Sequence, residues 1–142
     1  YKDLKEHIID IKKNHNNLIV MGDFNVSPKD IDIGIGEQNA KRWLRDGKTS
    51  FQPEEREMWN SIRDLGFVDT WRIIYPDDSR TYSWFDYRSR MFDQNPKRGL
   101  RIDHIMLSDN LKDSINAVGI DYHARAMEKP SDHCPIWLDL NE

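Results

Sequence analysis

The chain has 142 residues, 32% of them charged and 37% hydrophobic, with a net charge of −4; this is the size of one domain, with a core thin for a fully buried sheet. Its single cysteine, Cys134, excludes an internal disulfide and fits a reducing compartment. No apolar run approaches the roughly 18 residues that a membrane span needs, and no signal-like stretch opens the chain, so a soluble cytoplasmic protein with no membrane partner is expected.

Leu4, Ile8 and Ile11 recur at helical spacing between Lys2 and His15, with lysines on the other face and Asn14 near the end, and predict an amphipathic helix. Leu18 to Met21 is an uninterrupted apolar run between Asn16-Asn17 and Gly22, which predicts a short strand buried on both faces. Asp23 and Asn25 follow it two residues apart, so an extended backbone aims both side chains the same way. An irregular stretch from Val26 to Glu37 leads to a short helix over Glu37 to Arg45, ended by Gly47. Pro53 opens a clearer helix: Glu54, Glu55 and Glu57 favour its dipole, Gly66 caps its end, and Met58, Ile62 and Leu65 form its buried stripe. Phe67 to Trp71 continues as a short extended piece.

A long loop follows Tyr75-Pro76, and long ordered loops in compact domains are usually functional. Thr81 to Phe85 reads as a strand within it. The overall negative charge argues mildly against nucleic acid, but Arg72 to Arg101 carries +3 while the remainder carries −7. Six aromatics lie in that stretch: Tyr75, Tyr82, Trp84, Phe85, Tyr87 and Phe92. Arg88, Arg90 and Arg101 then stand as phosphate contacts and Trp84 as an aromatic face on a nucleic-acid surface. The competing reading is a charged loop that packs its rings into the core.

Gly99 to Ser108 is another strand, with Asp103 near its start. Leu111 to Ile115 reads as a helical or turn segment, Val118 to Tyr122 as a strand, and Ile136 to Leu140 as the last one. The order of helices and strands, strand-rich at its end, predicts an α/β fold with one mixed sheet and helices on one face. Asp132-His133 sits just before the last strand, held stiffly between Pro130 and Pro135, and makes a usable acid and imidazole pair. Cys134 adjoins His133, so a Cys-His nucleophile competes with that reading, and Pro135 after it argues against it.

Asp23, Asp103 and Asp132-His133 are thus three polar clusters at strand ends, and the motifs around them carry a resemblance. GDFN at 22–25, SWFDYRS at 83–89, RGLRID at 98–103, GIDY at 119–122 and PSDHCPIW at 130–137 together resemble the exonuclease III family of abasic-site endonucleases, within the endonuclease/exonuclease/phosphatase superfamily. The resemblance runs through residues 1–142 but matches only the C-terminal half of the family's domain. No stretch matches the N-terminal half, with its asparagine, metal-binding glutamate and active-site tyrosine. The opening on Tyr1 rather than Met fits a fragment or a processed chain.

The resemblance implies half of a four-layered, DNase I-like α/β sandwich. It implies metal-dependent phosphodiester hydrolysis at abasic sites and 3′ ends of duplex DNA, with Mg2+ or Mn2+ as cofactor. By resemblance Asp23 would orient or deprotonate the attacking water, and Asn25 would hold that arrangement and contact the phosphate. His133 would donate to the phosphate oxygens, Asp103 would fix its tautomer, and Asp132 would reach the metal or the leaving group. Asp23, Asn25 and Asp132 stand as the metal ligands, and Trp84 matches the aromatic that the family presents to the abasic sugar. His104, next to Asp103, is turned to the opposite face by strand alternation and reads as structural.

A half sandwich leaves one apolar sheet face bare, which implies a homodimer through that face. Two other functions stay open: a catalytically incomplete half domain that binds nucleic acid, and a sister phosphatase or sphingomyelinase-like phosphodiesterase. SWFDYRS and RGLRID favour the DNA enzyme.

Overall fold

The computed structural model describes residues 1–142. Helix α1 spans Lys2–Lys12, α2 Glu37–Arg45, α3 Pro53–Arg63, α4 Thr70–Ile74 and α5 Tyr122–Arg125. Strands β1 to β5 cover Ile19–Asp23, Phe67–Asp69, Asp103–Ser108, Ile115–Ile120 and Ile136–Leu140. The α/β class is as expected, but the strands form two antiparallel ladders rather than one mixed sheet: β1-β3-β2 and β4-β5. No helix is long and apolar enough to cross a membrane.

Register decides which residues share a face. Val20 lies opposite Met106 and Gly22 opposite His104, and this face takes the helices. Ile8 of α1, Trp59 and Ile62 of α3, Phe24, Val26, Phe67 and Met106 close one core. Fully burying a side chain such as Ile62 contributes roughly 1.5–3 kcal/mol. The stripe of α3 therefore runs through Trp59 and Ile62 rather than Met58, which is only half-buried. Glu55 caps that helix by accepting from the Gln52 N–H at 3.0 Å, and Gly66, at φ +112°, takes the left-handed turn that a side chain disfavours.

The other face carries Ile19, Met21 and Asp23 on β1 opposite Leu107, Ile105 and Asp103 on β3. Ile105 is covered there by Val118, Ile120 and Ile136 of the β4-β5 ladder and by Trp71 of α4. Strand β1 lies at the sheet's edge beyond that cover, so Ile19 and Met21 remain 48% and 58% exposed. The apolar run of β1 is thus not buried on both faces. An uninterrupted run does not distinguish a doubly covered strand from one whose second face is bare.

Two further expectations change. Trp71 belongs to α4, which follows β2 directly, so the extended piece ends at Asp69. Thr81 to Phe85 forms no strand; Trp84 alone makes isolated bridges to Leu100 and His133. Around it a second core gathers Ile35, Phe51, Tyr82, Phe85, Met91, Phe92, Leu100, Ile102 and Cys134. Half of the loop's six aromatics, Tyr82, Phe85 and Phe92, therefore serve packing, while Tyr75 and Tyr87 are exposed. Gly99 admits the Trp84 carbonyl where any side chain would collide with it.

Candidate active site

The end of β1 places Asp23 directly opposite Asp103 at the start of β3. Two like charges in register on one face repel, so this pairing calls for a cation between or beside them. His133, three residues before β5, supplies one when its imidazole is protonated. Its Nδ1 lies 2.9 Å from Oδ2 of Asp103, and its Nε2 lies 3.7 Å from Oδ2 of Asp23. One ligand atom each from Asp23, Asp103 and His133 falls within 4.8 Å of the others.

Each side chain is held locally. The Asp23 carboxylate accepts from the Asn25 N–H at 2.8 Å, and Asn25 sits at φ +52°, a conformation asparagine tolerates. The Ser83 hydroxyl accepts from the N–H groups of Ile102 and Asp103 at 2.9 and 3.0 Å, which ties the start of β3 to the Trp84 segment. The Asp103 side chain is 10% exposed and that of Asp23 40%, so the cluster runs from the interior to an open rim. The hydrogen bond to Asp103 raises the pKa of His133 above the usual histidine value against partial burial, and the charges of Asp103, Asp23 and Asp132 add to the shift.

Of the expected site residues, Asp23, Asp103 and His133 converge. Asn25 is exposed beside them, tied to Asp23 through its backbone. Asp132 stands outside the three-residue cluster and accepts from the Trp84 indole N–H at 3.0 Å, so Trp84 is oriented by the residue next to His133. Arg88 and Arg90 are exposed. Arg88 lines a concavity of about 540 Å³ with Trp84, Trp43, Arg42 and Lys48. Sequence reasoning passed over Arg42, Trp43 and Lys48 because they sit on and just after an ordinary amphipathic helix.

Arg101 corrects an expectation. It is 1% exposed and bonds Asp32 (2.6 Å) and Asp69 (2.6 Å), with Arg72 also on Asp32, so it cannot reach a phosphate. Burial raises the pKa of Asp32 and Asp69, but Arg101 and Arg72 outweigh it and hold both below the usual carboxylate range. The reason is register: Arg101 precedes β3, where the chain is still inside the domain. His104 is buried as expected, its two ring nitrogens taken by Val26 and Arg101. Cys134 lies in the second core, and burial pushes its thiol up to about 12, which removes it as a nucleophile.

Residues 1–133 match the model of the Endonuclease/Exonuclease/phosphatase family. The chain belongs to this family. Divalent-metal dependence is general to it, and the Asp23 carboxylate, open at the rim, is a hard oxygen donor of the type such ions take. Over 140 residues the chain is 50% identical to exodeoxyribonuclease III of Haemophilus influenzae, covering 99% of this chain and 52% of that protein. Among solved structures, the 3′-5′ exonuclease NExo of Neisseria meningitidis superposes with a TM-score of 0.86 at 35% identity, over 98% of this chain and 51% of that one. An AP endonuclease from Archaeoglobus fulgidus does so with a TM-score of 0.80 at 27% identity, over 99% and 53%. The chain thus spans about half the length of these relatives, and the half sandwich expected from its motifs is a DNase I-like fold shared with them.

Proposed function

We propose that the chain carries part of the active site of a DNA repair nuclease that hydrolyses phosphodiesters at abasic sites and 3′ ends of duplex DNA. The observation that carries this reading is the in-register pair Asp23 and Asp103 with His133 against both, open to solvent on the Asp23 side. The relatives' names support the substrate: exodeoxyribonuclease III, 3′-5′ exonuclease and AP endonuclease. The motifs correspond to the C-terminal half of such a domain.

Hydrolysis forms a bond from a water oxygen to phosphorus and breaks the bond to the leaving oxygen, with the water's proton passing to a base. Asp23, the more exposed carboxylate, takes that proton or aligns the water. His133, kept protonated by Asp103, donates to the phosphate oxygens as charge develops on them. Asp103 holds the imidazole with Nδ1–H inward and Nε2 outward. The Asn25 amide positions the phosphate. The Trp84 face, fixed by Asp132, and exposed Arg88 and Arg90 take the sugar and flanking phosphates. Asp23, with Asn25 and Asp132, would hold Mg2+ or Mn2+, which would neutralise charge at the phosphate and on the leaving oxygen. A cytoplasmic location suits DNA as substrate.

The face of β1 that exposes Ile19 and Met21 supports association with a second copy. Incision of an end-labelled duplex bearing one abasic site, with Mg2+, tests the main reading. Scission by this chain that Asp23→Ala abolishes is expected. Hydrolysis of small phosphate esters with none of DNA overturns it in favour of a sister phosphatase.

A further inference from the structure

His104 neighbours Asp103 on β3 but points to the helix-covered face, enclosed edge-on by Phe24 and Trp59 with ring centroids 5.7 and 5.3 Å away. Its Nε2 lies 2.6 Å from the Val26 carbonyl, and its Nδ1 lies 3.1 Å from Nη1 of Arg101. A carbonyl only accepts and a guanidinium only donates, so the partners impose the neutral tautomer with the proton on Nε2. Val26 is 0% exposed, and no other hydrogen bond of the protein reaches its carbonyl. A buried carbonyl left without a donor is costly, so this contact is strongly constrained.

The two partners flank the two halves of the site. Val26 directly follows Asn25, the left-handed residue whose N–H is bound by Asp23. Arg101 is two residues before Asp103 and is itself clamped between Asp32 and Asp69. Asp32 belongs to the same stretch as Val26, and its backbone carbonyl accepts from the Arg101 N–H at 3.0 Å. The imidazole thus joins the turn after β1 to the segment that enters β3 from beneath the face that carries Asp23 and Asp103, beside the Phe24 N–H bond to the Ile102 carbonyl at 3.0 Å.

We propose that His104 is a positioning residue: through Nε2–H to Val26 and Nδ1 to Arg101 it holds the turn after Asp23 against the segment before Asp103, reinforcing the separation that the β1–β3 ladder gives the two carboxylates, and with it the fit of His133 between them. It touches no substrate. The proposal rests on the reading of Asp23, Asp103 and His133 as the active cluster, and not on which ester that cluster cleaves. Glutamine at 104 presents an amide N–H and a carbonyl oxygen and so repeats the donor and acceptor pattern. Leucine fills the space and offers neither.

The test is NMR of the imidazole groups at one fixed pH near neutrality, with Mn2+ affinity as a second reading. In the unsubstituted protein, His104 is expected in the Nε2–H tautomer, and His133 shows a downfield Nδ1–H proton bound to Asp103. His104→Gln is expected to keep that His133 signal. His104→Leu is expected to lose it to exchange or shift it upfield and to weaken Mn2+ binding roughly 10–100-fold, the range for a residue orienting ligands from behind. A folded His104→Leu protein with the His133 signal and Mn2+ affinity unchanged overturns the proposal. So does His104→Gln that folds but loses the signal. An Nδ1–H or doubly protonated His104 in the unsubstituted protein overturns it without any variant. None of these readings depends on DNA cleavage, so the proposal is judged by its own signals whether or not this chain cuts DNA.

Discussion

His133 and Asp103 meet through a 2.9 Å contact between Nδ1 and Oδ2, with the carboxylate nearly enclosed and the imidazole reaching the rim. That bond raises the histidine's folded pKa above its unfolded value of about 6.5. The resulting stabilisation is fully present below about pH 6.5 and disappears as pH rises through the raised folded value.

Asp103→Asn should therefore lower the His133 pKa, read directly by NMR titration of the imidazole protons. If the chain cleaves DNA, the same variant should lose about 10²–10⁴-fold in rate. The alkaline limb of its pH profile should move to lower pH, because the imidazolium is then lost sooner. An unmoved His133 titration would show that the contact does not govern its charge.

The opposite sign holds for His104. Burial, with Arg101 second, lowers its pKa to about 4, so between pH 6.5 and 4 the unfolded chain takes up a proton that the folded one refuses. This contribution is present above pH 6.5 and is lost on acidification, on the order of 3 kcal/mol in all. Asp32 and Asp69, held low by Arg101 and Arg72 against their burial, lose stability in the same direction as pH falls through their folded values. Urea unfolding should accordingly show a lower midpoint at pH 4.5 than at pH 7 in the Asp103→Asn background, where the opposing His133 contribution is removed. His104→Gln should flatten the part of that slope between pH 6.5 and 4.

Arg101 and Arg88 separate packing from binding, although the sequence presents both as arginines of one basic stretch. Arg101 is enclosed between two carboxylates, and removing one partner of a buried charge network costs about 3–5 kcal/mol. Arg101→Met should therefore show its effect in urea unfolding. Arg88 is exposed, so Arg88→Ala should leave stability within about 0.5 kcal/mol. It should instead weaken duplex binding and reduce the slope of log affinity against log salt by about 1.

The contrast between those arginines also shows what the sequence makes legible. Helix α2 and strand β5 are read to the residue, because caps and apolar spacing are local signals. Asp23, Asp103 and His133 are read through their motifs, and strand alternation alone turns His104 away from them. The partners of Arg101 are not legible. Asp32 and Asp69 lie 69 and 32 residues away, and no local pattern marks an acid as one that a distant strand will enclose. Thr81 to Phe85 fails as a strand for a related reason. Its alternation is real, but Tyr82 and Phe85 are drawn into a ring-lined core, and the pairing shrinks to isolated bridges at Trp84.

The bare edge of β1 leads to the last expectation. Ile19 and Met21 alternate with the covered Val20, and on β3 their neighbours Leu107 and Ile105 are buried under other elements, so the exposed pair continues an apolar face instead of standing as isolated surface residues. Burying such side chains yields about 25 cal/mol per Å², and β1 also offers unpaired backbone groups along its free edge. Sedimentation at micromolar concentration should show a dimer. Met21→Lys should shift the population towards monomer while leaving urea stability of the monomer within about 0.5 kcal/mol, since the side chain is already mostly in water. A monomer at that concentration before any substitution would refute the association.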